Sequence, residues 1–389
     1  MIDRLEKDQC CGCYSCVSSC TQNAIFMRYD VEGFWYPEID YNKCVNCDIC
    51  EEKCPNINSN EKISQYKAYI CINKNDQIRL KSSSGGIFSV IAEYVIEKNG
   101  IVFGAGFDED LNVCHTFVNN TIDLEKLRGS KYVQSKIGNM YKEVEMFLKN
   151  QRLVLFTGTP CQIEGLKMYL DKDYENLICS DFICHGVSSP KVWKKFILEK
   201  EQEFNSKVKE AYFRNKSKGW KQFSMLLKFE NEKIYRKDLN RDIMLRSFLS
   251  NICLRPSCHN CNFKNLEKTS DITLADFWEI DNVYPKMNDG KGISLLVINS
   301  KKGEEIFDEI SKNIVYRNID FEKYVSNIET FIKSSKENKN RTAFFDELDN
   351  SNLDVIVNKY CKINEKEIIR FLVPRKIKLI IKKVLKNFK

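Results

Sequence analysis

Apolar and polar positions divide the chain into three stretches. Residues 1–57 lack a sustained period and consist of two similar Cys-rich halves, the only internal repeat. A polar linker follows at 58–65, Asn58-Ser59-Asn60-Glu61-Lys62-Ile63-Ser64-Gln65. From 66 to 331, strand-like runs alternate with helical spacing. The pattern predicts a helix over 87–98, with Ser82-Ser83-Ser84 before it as cap candidates and Gly100 as its stop. Further helices are predicted at 137–148, 162–170 and 190–204, the last with Pro190 in its first turn. Strands are predicted at 101–107, 153–157, 177–183, 225–229, 272–275 and 293–298. Such alternation implies an α/β domain. Residues 332–389 read as a polar, mostly helical tail.

Composition changes this picture at one residue type. A hydrophobic fraction of 43% and a charged fraction of 30% are those of a globular chain. Its 18 cysteines are clustered. No apolar signal region follows the charged Met1–Lys7 segment, and no run is long enough to cross a bilayer. The expectation is a cytoplasmic chain with reduced thiols, in which Cys spacing reports metal chemistry rather than disulfides.

The first run is Cys10-x2-Cys13-x2-Cys16-x3-Cys20; the second is Cys44-x2-Cys47-x2-Cys50-x3-Cys54-Pro55. This is bacterial ferredoxin spacing, in which the fourth Cys of each run serves the other cluster. Three thiolates two residues apart wrap one [4Fe-4S] cubane, and the fourth must come from the helix after the other loop. Cys10, Cys13, Cys16 and Cys54 are thus assigned to one cluster, and Cys44, Cys47, Cys50 and Cys20 to the second. Thr21 stands where proline usually follows. Cys11 permits a one-residue slip, but only Cys10 keeps both two-residue gaps. Two zinc sites are the alternative, and the spacing disfavours them.

The central stretch carries, in order, Ser82-Ser83-Ser84-Gly85-Gly86, Arg128-Gly129-Ser130-Lys131-Tyr132-Val133-Gln134-Ser135 and Thr157-Gly158-Thr159-Pro160-Cys161-Gln162. Cys184-His185-Gly186-Val187-Ser188-Ser189-Pro190, Cys253-Leu254-Arg255-Pro256-Ser257-Cys258-His259-Asn260-Cys261 and Asp271-Ile272-Thr273-Leu274-Ala275-Asp276-Phe277-Trp278 follow. This series resembles the coenzyme F420 hydrogenase/dehydrogenase beta-subunit family, in its bacterial form fused to a ferredoxin domain. The resemblance covers about residues 1–331. It implies an FAD-containing iron–sulfur oxidoreductase whose flavin exchanges a hydride with a small organic partner, often as one subunit of a redox complex. In archaeal relatives that partner is the deazaflavin F420. Bacterial relatives commonly accompany polysaccharide-synthesis proteins.

The residues themselves offer matching pieces. Ser82, Ser83, Ser84, Gly85 and Gly86 precede a helix, where hydroxyls and bare backbone suit a pyrophosphate; an ordinary cap is the alternative. Gly158, Thr159 and Pro160 form a small-residue turn between a strand and a helix. Ser130, Lys131 and Arg128 are candidates for FAD phosphates or a substrate carboxylate, or else a solvated loop. No GxGxxG fingerprint is present, so the flavin rests on the resemblance. Cys161, Cys184, Cys258 and Cys261 are candidates for a third [4Fe-4S] cluster, with Cys253 as a fifth thiol. Zinc, or a reduced hook beside core thiols, stays open. Cys11, Cys71, Cys114, Cys179 and Cys361 read as small apolar packing. His185 is a flavin-tuning or proton-relay candidate, or a structural histidine. Asp271, Asp276 and Gly290-Lys291-Gly292 are placed near the flavin by the resemblance alone.

The formal charge of +7 is concentrated at the end. Arg375, Lys376, Lys378, Lys382, Lys383, Lys386 and Lys389 supply seven positive charges with no acidic residue, leaving the rest neutral, so no nucleic-acid surface is indicated. Ile377, Ile380, Ile381, Val384, Leu385 and Phe388 share one helical face, which predicts either a peripheral membrane contact or a packed helix. The expected architecture is therefore an α+β ferredoxin-like 2[4Fe-4S] module over 1–57, an α/β flavin and iron–sulfur domain over 66–331, and a helical basic tail over 332–389. A non-catalytic electron carrier and a metal-stabilised scaffold are the competing functions.

Overall fold

The computed structural model describes residues 2–58, 66–326 and 328–361. In the Cys-rich segment each run closes into a short helix, α1 (Ser15–Ser19) and α2 (Ile49–Glu52), around a hairpin of β1 (Ile25–Tyr29) and β2 (Trp35–Ile39). The repeat extends to the backbone. Gly12 and Tyr14 have φ of 66° and 71°, and Asn46 and Asp48 have φ of 54° and 56°. Both pairs fall two and four residues after Cys10 and Cys44. Left-handed backbone at these positions turns each loop about its thiols. The match sets Cys10 opposite Cys44 and Cys11 opposite Val45.

The larger part is built on one mixed sheet of eight strands in the order β13-β3-β12-β11-β7-β6-β4-β5. The chain runs β3 (Lys67–Asn73), α3 (Asp76–Lys81), α4 (Ile87–Glu97), β4 (Ile101–Phe107), β5 (Val113–Val118), α5 (Met140–Lys149), β6 (Val154–Thr157), α6 (Pro160–Leu170), β7 (Leu177–Phe182) and α7 (Pro190–Phe204). A separate antiparallel sheet of β8 (Val208–Asn215), β9 (Ser224–Phe229) and β10 (Ile234–Asp238) interrupts it, followed by α8 (Ile243–Leu249). The main sheet resumes with β11 (Ile272–Asp276), α9 (Ile280–Val283), β12 (Ser294–Ile298), α10 (Lys301–Ile310) and β13 (Ile314–Ile319). Short helices α11 (Phe321–Tyr324) and α12 (Glu329–Ile332) then lead to α13 (Arg341–Glu347) and α14 (Leu353–Tyr360).

Strands β11, β7, β6 and β4 are parallel neighbours, and their carboxyl ends share one edge. Antiparallel β12 begins at that edge, with Ser294 opposite Asp276, and β3 brings Cys71 opposite Ser294. Loops leaving one edge of such a sheet converge, which is where ligands collect in α/β folds. Ile101, Val102 and Phe103 are buried in succession, as expected of a strand covered on both faces. Ile87, Val90, Ile91 and Val95 give α4 its buried stripe.

Two boundaries differ from the sequence reading. The tail predicted from 332 is not a tail through 361, because α13 and α14 bury Phe344, Leu348, Leu353, Ile356 and Val357 in the same core as α7, α8 and the small sheet. The sparse apolar positions on these helices are seen as core only when the partner surface is known. The strand at 225–229 forms as β9 but belongs to the small sheet. The basic helix expected over 375–389 lies outside the described residues. Among the described residues, no helix is long and apolar enough to cross a membrane.

Candidate functional site

The two runs differ in depth. Cys10, Cys13, Cys16 and Cys54 are buried, whereas Cys44 and Cys50 are half-buried and Cys47 is exposed. Burial pushes the Cys16 thiol up, and the neighbouring Cys10, Cys54 and Cys50 push it further. Cys54 is raised in the same way, with Cys10 and Cys50 adding to burial. These are crowded thiols that cannot all ionise in a protein without a compensating cation. Metal supplies that compensation, since thiolate ligation couples proton loss to metal charge. The donor set therefore fits iron–sulfur ligation. Cys20 lies across the module, with Sγ accepting from the Ala24 N–H at 3.3 Å.

The buried run sits on α6. A Cβ placed on Gly165 would lie 2.8 Å from Cys13 Cβ and 3.0 Å from Cys13 Sγ, so only glycine permits this approach. Gly165 is four residues after Cys161, one helical turn or about 6 Å along the axis. Other ties hold the module in place. Glu32, in the β1–β2 turn, receives Arg341 at 2.7 Å and 2.5 Å. Arg255 reaches Cys10 O and Trp35 O, both at 2.9 Å. Gly12 lies against Arg255 and Gln134, leaving no room for a side chain.

Beyond α6 lies a pocket lined by Cys161, Cys184, Cys258 and Cys261. Cys161 opens α6, where Gln162 Oε1 accepts from the Thr159 N–H at 3.0 Å and caps the turn. Cys184 follows β7, and Cys258 ends a 3-10 turn. Gly186, at φ +147°, lets the chain pass close to Cys258. Burial raises the Cys184 thiol, with further contributions from Cys258, Cys161 and Cys261. Among the described residues, no three Cys, His, Asp or Glu side chains converge tightly enough for a single metal ion. Cys253 is not in this pocket. It is fully buried, with Sγ donating to Ser188 Oγ at 3.4 Å.

Cys11 is the thiol that sequence reasoning set aside as apolar packing. It lines this pocket and touches both Cys13 and Cys161. Its doubled position beside Cys10 was the only signal. Cys71, Cys179 and Cys361 are buried in cores, while Cys114 lines a groove between the module and α7.

The residues proposed for a flavin are divided by the structure. Ser83 Oγ accepts from Ser130 N–H at 2.8 Å and lies 2.9 Å from Ser130 Oγ, joining two of the sequence motifs. Ser82 and Ser84 instead donate to Ile78 O and Ile293 O, so their hydroxyls are committed to backbone. Gly85 packs against Cys71 O, and Gly86 starts α4 at φ +85°. Lys131 donates to the carbonyls of Lys126, Arg128 and Gly129, and burial drives its amine down to about 7. Arg128 binds Ser89 Oγ. Gly158 donates to Ser180 O, whereas Thr159 and Pro160 line the thiol pocket. His185 is held by Asn251 at 2.6 Å and packs edge-on against Phe248. Asp271 receives Cys179 N–H and Ser300 Oγ inside the fold.

Asp276 faces a network that the sequence left unassigned. Arg214 donates to it at 2.6 Å and to Tyr132 Oη at 3.2 Å, and Trp220 Nε1 donates to it at 2.7 Å. Trp278 stacks on Trp220 at 4.7 Å and remains exposed. Arg214 Nε is buried without an acceptor among the described residues, a donor suited to a bound acceptor. Lys216 donates to Arg79 O, Ser84 O and Lys291 O, pinning the 82–86 loop to the 290–292 loop.

Two known families match the two parts of the chain. Residues 151–323 match the family described as the C terminus of the coenzyme F420 hydrogenase/dehydrogenase beta subunit, and residues 9–57 match a 4Fe-4S dicluster domain. The coenzyme F420-dependent sulfite reductase of Methanocaldococcus jannaschii is 33% identical over 126 residues, 31% of this chain and 19% of that protein. Pyruvate synthase subunit PorD of Methanothermobacter marburgensis is 37% identical over 51 residues, 13% of this chain and 53% of that protein. The chain thus spans about a fifth and about half of these two relatives. One polypeptide of the F420-reducing [NiFe] hydrogenase complex from Methanosarcina barkeri superposes with a TM-score of 0.45 at 16% identity, over 79% of this chain and 92% of that one.

Proposed function

We propose that this chain belongs to the coenzyme F420 hydrogenase/dehydrogenase beta-subunit family, with an N-terminal 4Fe-4S dicluster domain, and is an iron–sulfur flavoprotein oxidoreductase. Cys10, Cys13, Cys16 and Cys54 hold the inner cluster, and Cys44, Cys47, Cys50 and Cys20 hold the outer one. Cys161, Cys184, Cys258 and Cys261 hold a third. The Ser83–Ser130 pair and the Arg214–Asp276–Trp278 network are the residues that would hold FAD. When bound, the clusters supply single-electron exchange and the flavin supplies hydride exchange with a small organic partner.

The observation that carries this reading is the seat of Cys13 on Gly165, one turn of α6 from Cys161. It brings two thiol sets from distant parts of the sequence to one helix, and Cys11 touches a member of each. The outer run is positioned for exchange with a redox partner protein. Cys47 is exposed there, and so are Tyr41, Val45 and Ile57. Four thiols lining a pocket suit a cluster several ångströms across better than one zinc ion, whose bonds are about 2.3 Å long.

Anaerobic purification with iron, sulfide and flavin analysis tests the proposal. About twelve irons per chain and one FAD are expected. Cys13→Ala and Cys161→Ala should each remove about four irons. Clusters without flavin would favour a pure electron carrier, and zinc in place of iron would favour a scaffold. Deazaflavin reduction is the first activity to assay.

A further inference from the structure

Four arginines are buried among the described residues: Arg79, Arg214, Arg255 and Arg341. Three have a carboxylate partner. Arg79 meets Asp289, Arg214 meets Asp276 and Arg341 meets Glu32. Arg255, only 1% exposed, has none within ion-pair distance among the described residues. Its guanidinium donates to three neutral acceptors, Cys10 O at 2.9 Å, Trp35 O at 2.9 Å and Gln134 Oε1 at 3.2 Å, and lies over the Tyr36 ring at 4.1 Å. Carbonyls satisfy hydrogen bonds but do not neutralise a charge. A buried guanidinium without an anion is strongly unfavourable, so the anion must come from something else at this place.

The place is specific. Arg255 belongs to the segment between Leu254 and Cys258 and lines the pocket of Cys161, Cys184, Cys258 and Cys261. It also touches the Cys10–Cys13 loop from the other side. The ionisable neighbours that act on it most strongly are Cys10, Tyr36, Cys11 and Cys258. Three are thiols: Cys10 of the inner set, Cys258 of the pocket set, and Cys11, which lies between them.

We propose that Arg255 is a positioning residue that serves as the shared counter-charge of two iron–sulfur centres, the inner ferredoxin cluster and the third cluster, and raises the potential of both. The inference rests on the ligand grouping proposed above. A cubane with four thiolates is an anion in either oxidation state and gains one more negative charge on reduction. A fixed cation nearby therefore stabilises the reduced form more than the oxidised one. Among the described residues, the hydrogen bonds and ion pairs of the four buried arginines go to groups other than Cys44, Cys47 and Cys50, so the outer cluster serves as an internal reference.

The decisive variant is Gln134→Glu in the full-length, cluster-loaded protein. It keeps side-chain volume, Trp35 N–H already donates to Oε1, and the new carboxylate would pair with Arg255 and cancel its charge. Redox titration followed by electron paramagnetic resonance should show two of three centres becoming harder to reduce. The expected change is about tenfold or more in the reduced-to-oxidised ratio at fixed potential, or roughly 59 mV per tenfold for one electron. Arg255→Gln should act in the same direction, and Arg255→Lys should restore most of the shift. A merely structural Arg255 predicts no selective change. If wild-type protein holds three clusters and Gln134→Glu moves none of them, or moves all three alike, the inference is overturned while the ligand grouping stands. If wild-type protein lacks the third cluster, the grouping itself fails and the inference falls with it.

Discussion

Replacing Gly165 with alanine pits two known effects against each other. In a helix interior, alanine is more favourable than glycine by about 1 kcal/mol. At an unobstructed site Gly165→Ala would therefore stabilise the protein and raise Tm by about 2–4 °C for a domain of 150–250 residues. Here the new methyl would lie 2.8 Å from Cys13 Cβ, 3.0 Å from Cys13 Sγ and 3.0 Å from Tyr141 Oη. Carbon atoms pack at about 3.5–4.0 Å, so the overlap approaches an ångström. Tyr141 cannot swing clear cheaply, because its hydroxyl donates to Gln162 O at 2.7 Å within α6 itself. Overpacking of this kind costs about 1–3 kcal/mol, which outweighs the propensity gain. The expected net loss is about 0–2 kcal/mol, and the Cys10–Cys16 loop should move off α6. Anaerobic thermal unfolding reads the first effect. Stopped-flow reduction from a low-potential donor reads the second, as slower arrival of electrons beyond the module. A rise in Tm of the full 2–4 °C would mean that Cys13 does not rest on Gly165, and the seat on which the electron path depends would be lost.

Other expectations follow from the same contacts. Cys11→Ala should leave the iron content at about twelve per chain, because the backbone repeat sets Cys11 opposite Val45 rather than opposite a ligand; loss of about four irons would shift the register by one. Glu32→Ala strands the Arg341 guanidinium, whose side chain is 8% exposed, and should cost about 3 kcal/mol in denaturant unfolding; a loss under about 1 kcal/mol would refute a desolvated tie between the module and α13. Burial holds His115 neutral down to about pH 4, whereas the unfolded imidazole protonates near 6.5. Its contribution is therefore intact above pH 6.5 and is lost as pH falls toward 4, by about 2 kcal/mol at pH 5. His115→Asn should flatten that part of the stability–pH curve relative to wild type, and parallel curves would refute it.

Much of this was legible in the sequence because some signals are local. The α7 helix begins at Pro190 and ends at Phe204 as its cap and period require, and β4 coincides with its apolar run. The two Cys runs share one spacing, and the three-dimensional repeat at Gly12, Tyr14, Asn46 and Asp48 follows it. What the sequence concealed depends on surfaces that meet only in the fold. The edge strand β13 exposes four of its six residues, so its pattern carries little apolar signal. Helices α13 and α14 resemble a polar tail until α7 and α8 are set against them. The Ser82–Gly86 loop is a case where the fold limits what the composition offers. Its small residues read as space for a phosphate, yet two of the three hydroxyls are used to bind the loop to Ile78 and Ile293.

The ties between the two parts bear on how the ferredoxin-like segment works. A free ferredoxin must find its partner, and its rate depends on charge steering and salt. Here Glu32 and Arg341, Arg255 with the Cys10 and Trp35 carbonyls, and Cys13 on Gly165 hold the inner run from three directions. These contacts are buried or partly buried, so salt screens the charged ones less than it would exposed pairs. The inner run is thereby held by packing, whereas Cys47 of the outer run is exposed. Under the proposed function, this burial pattern suits an encounter-dependent step at the outer thiols and a fixed-distance step at the inner ones. The two steps then respond differently to ionic strength, because only the outer one involves solvent-screened charge.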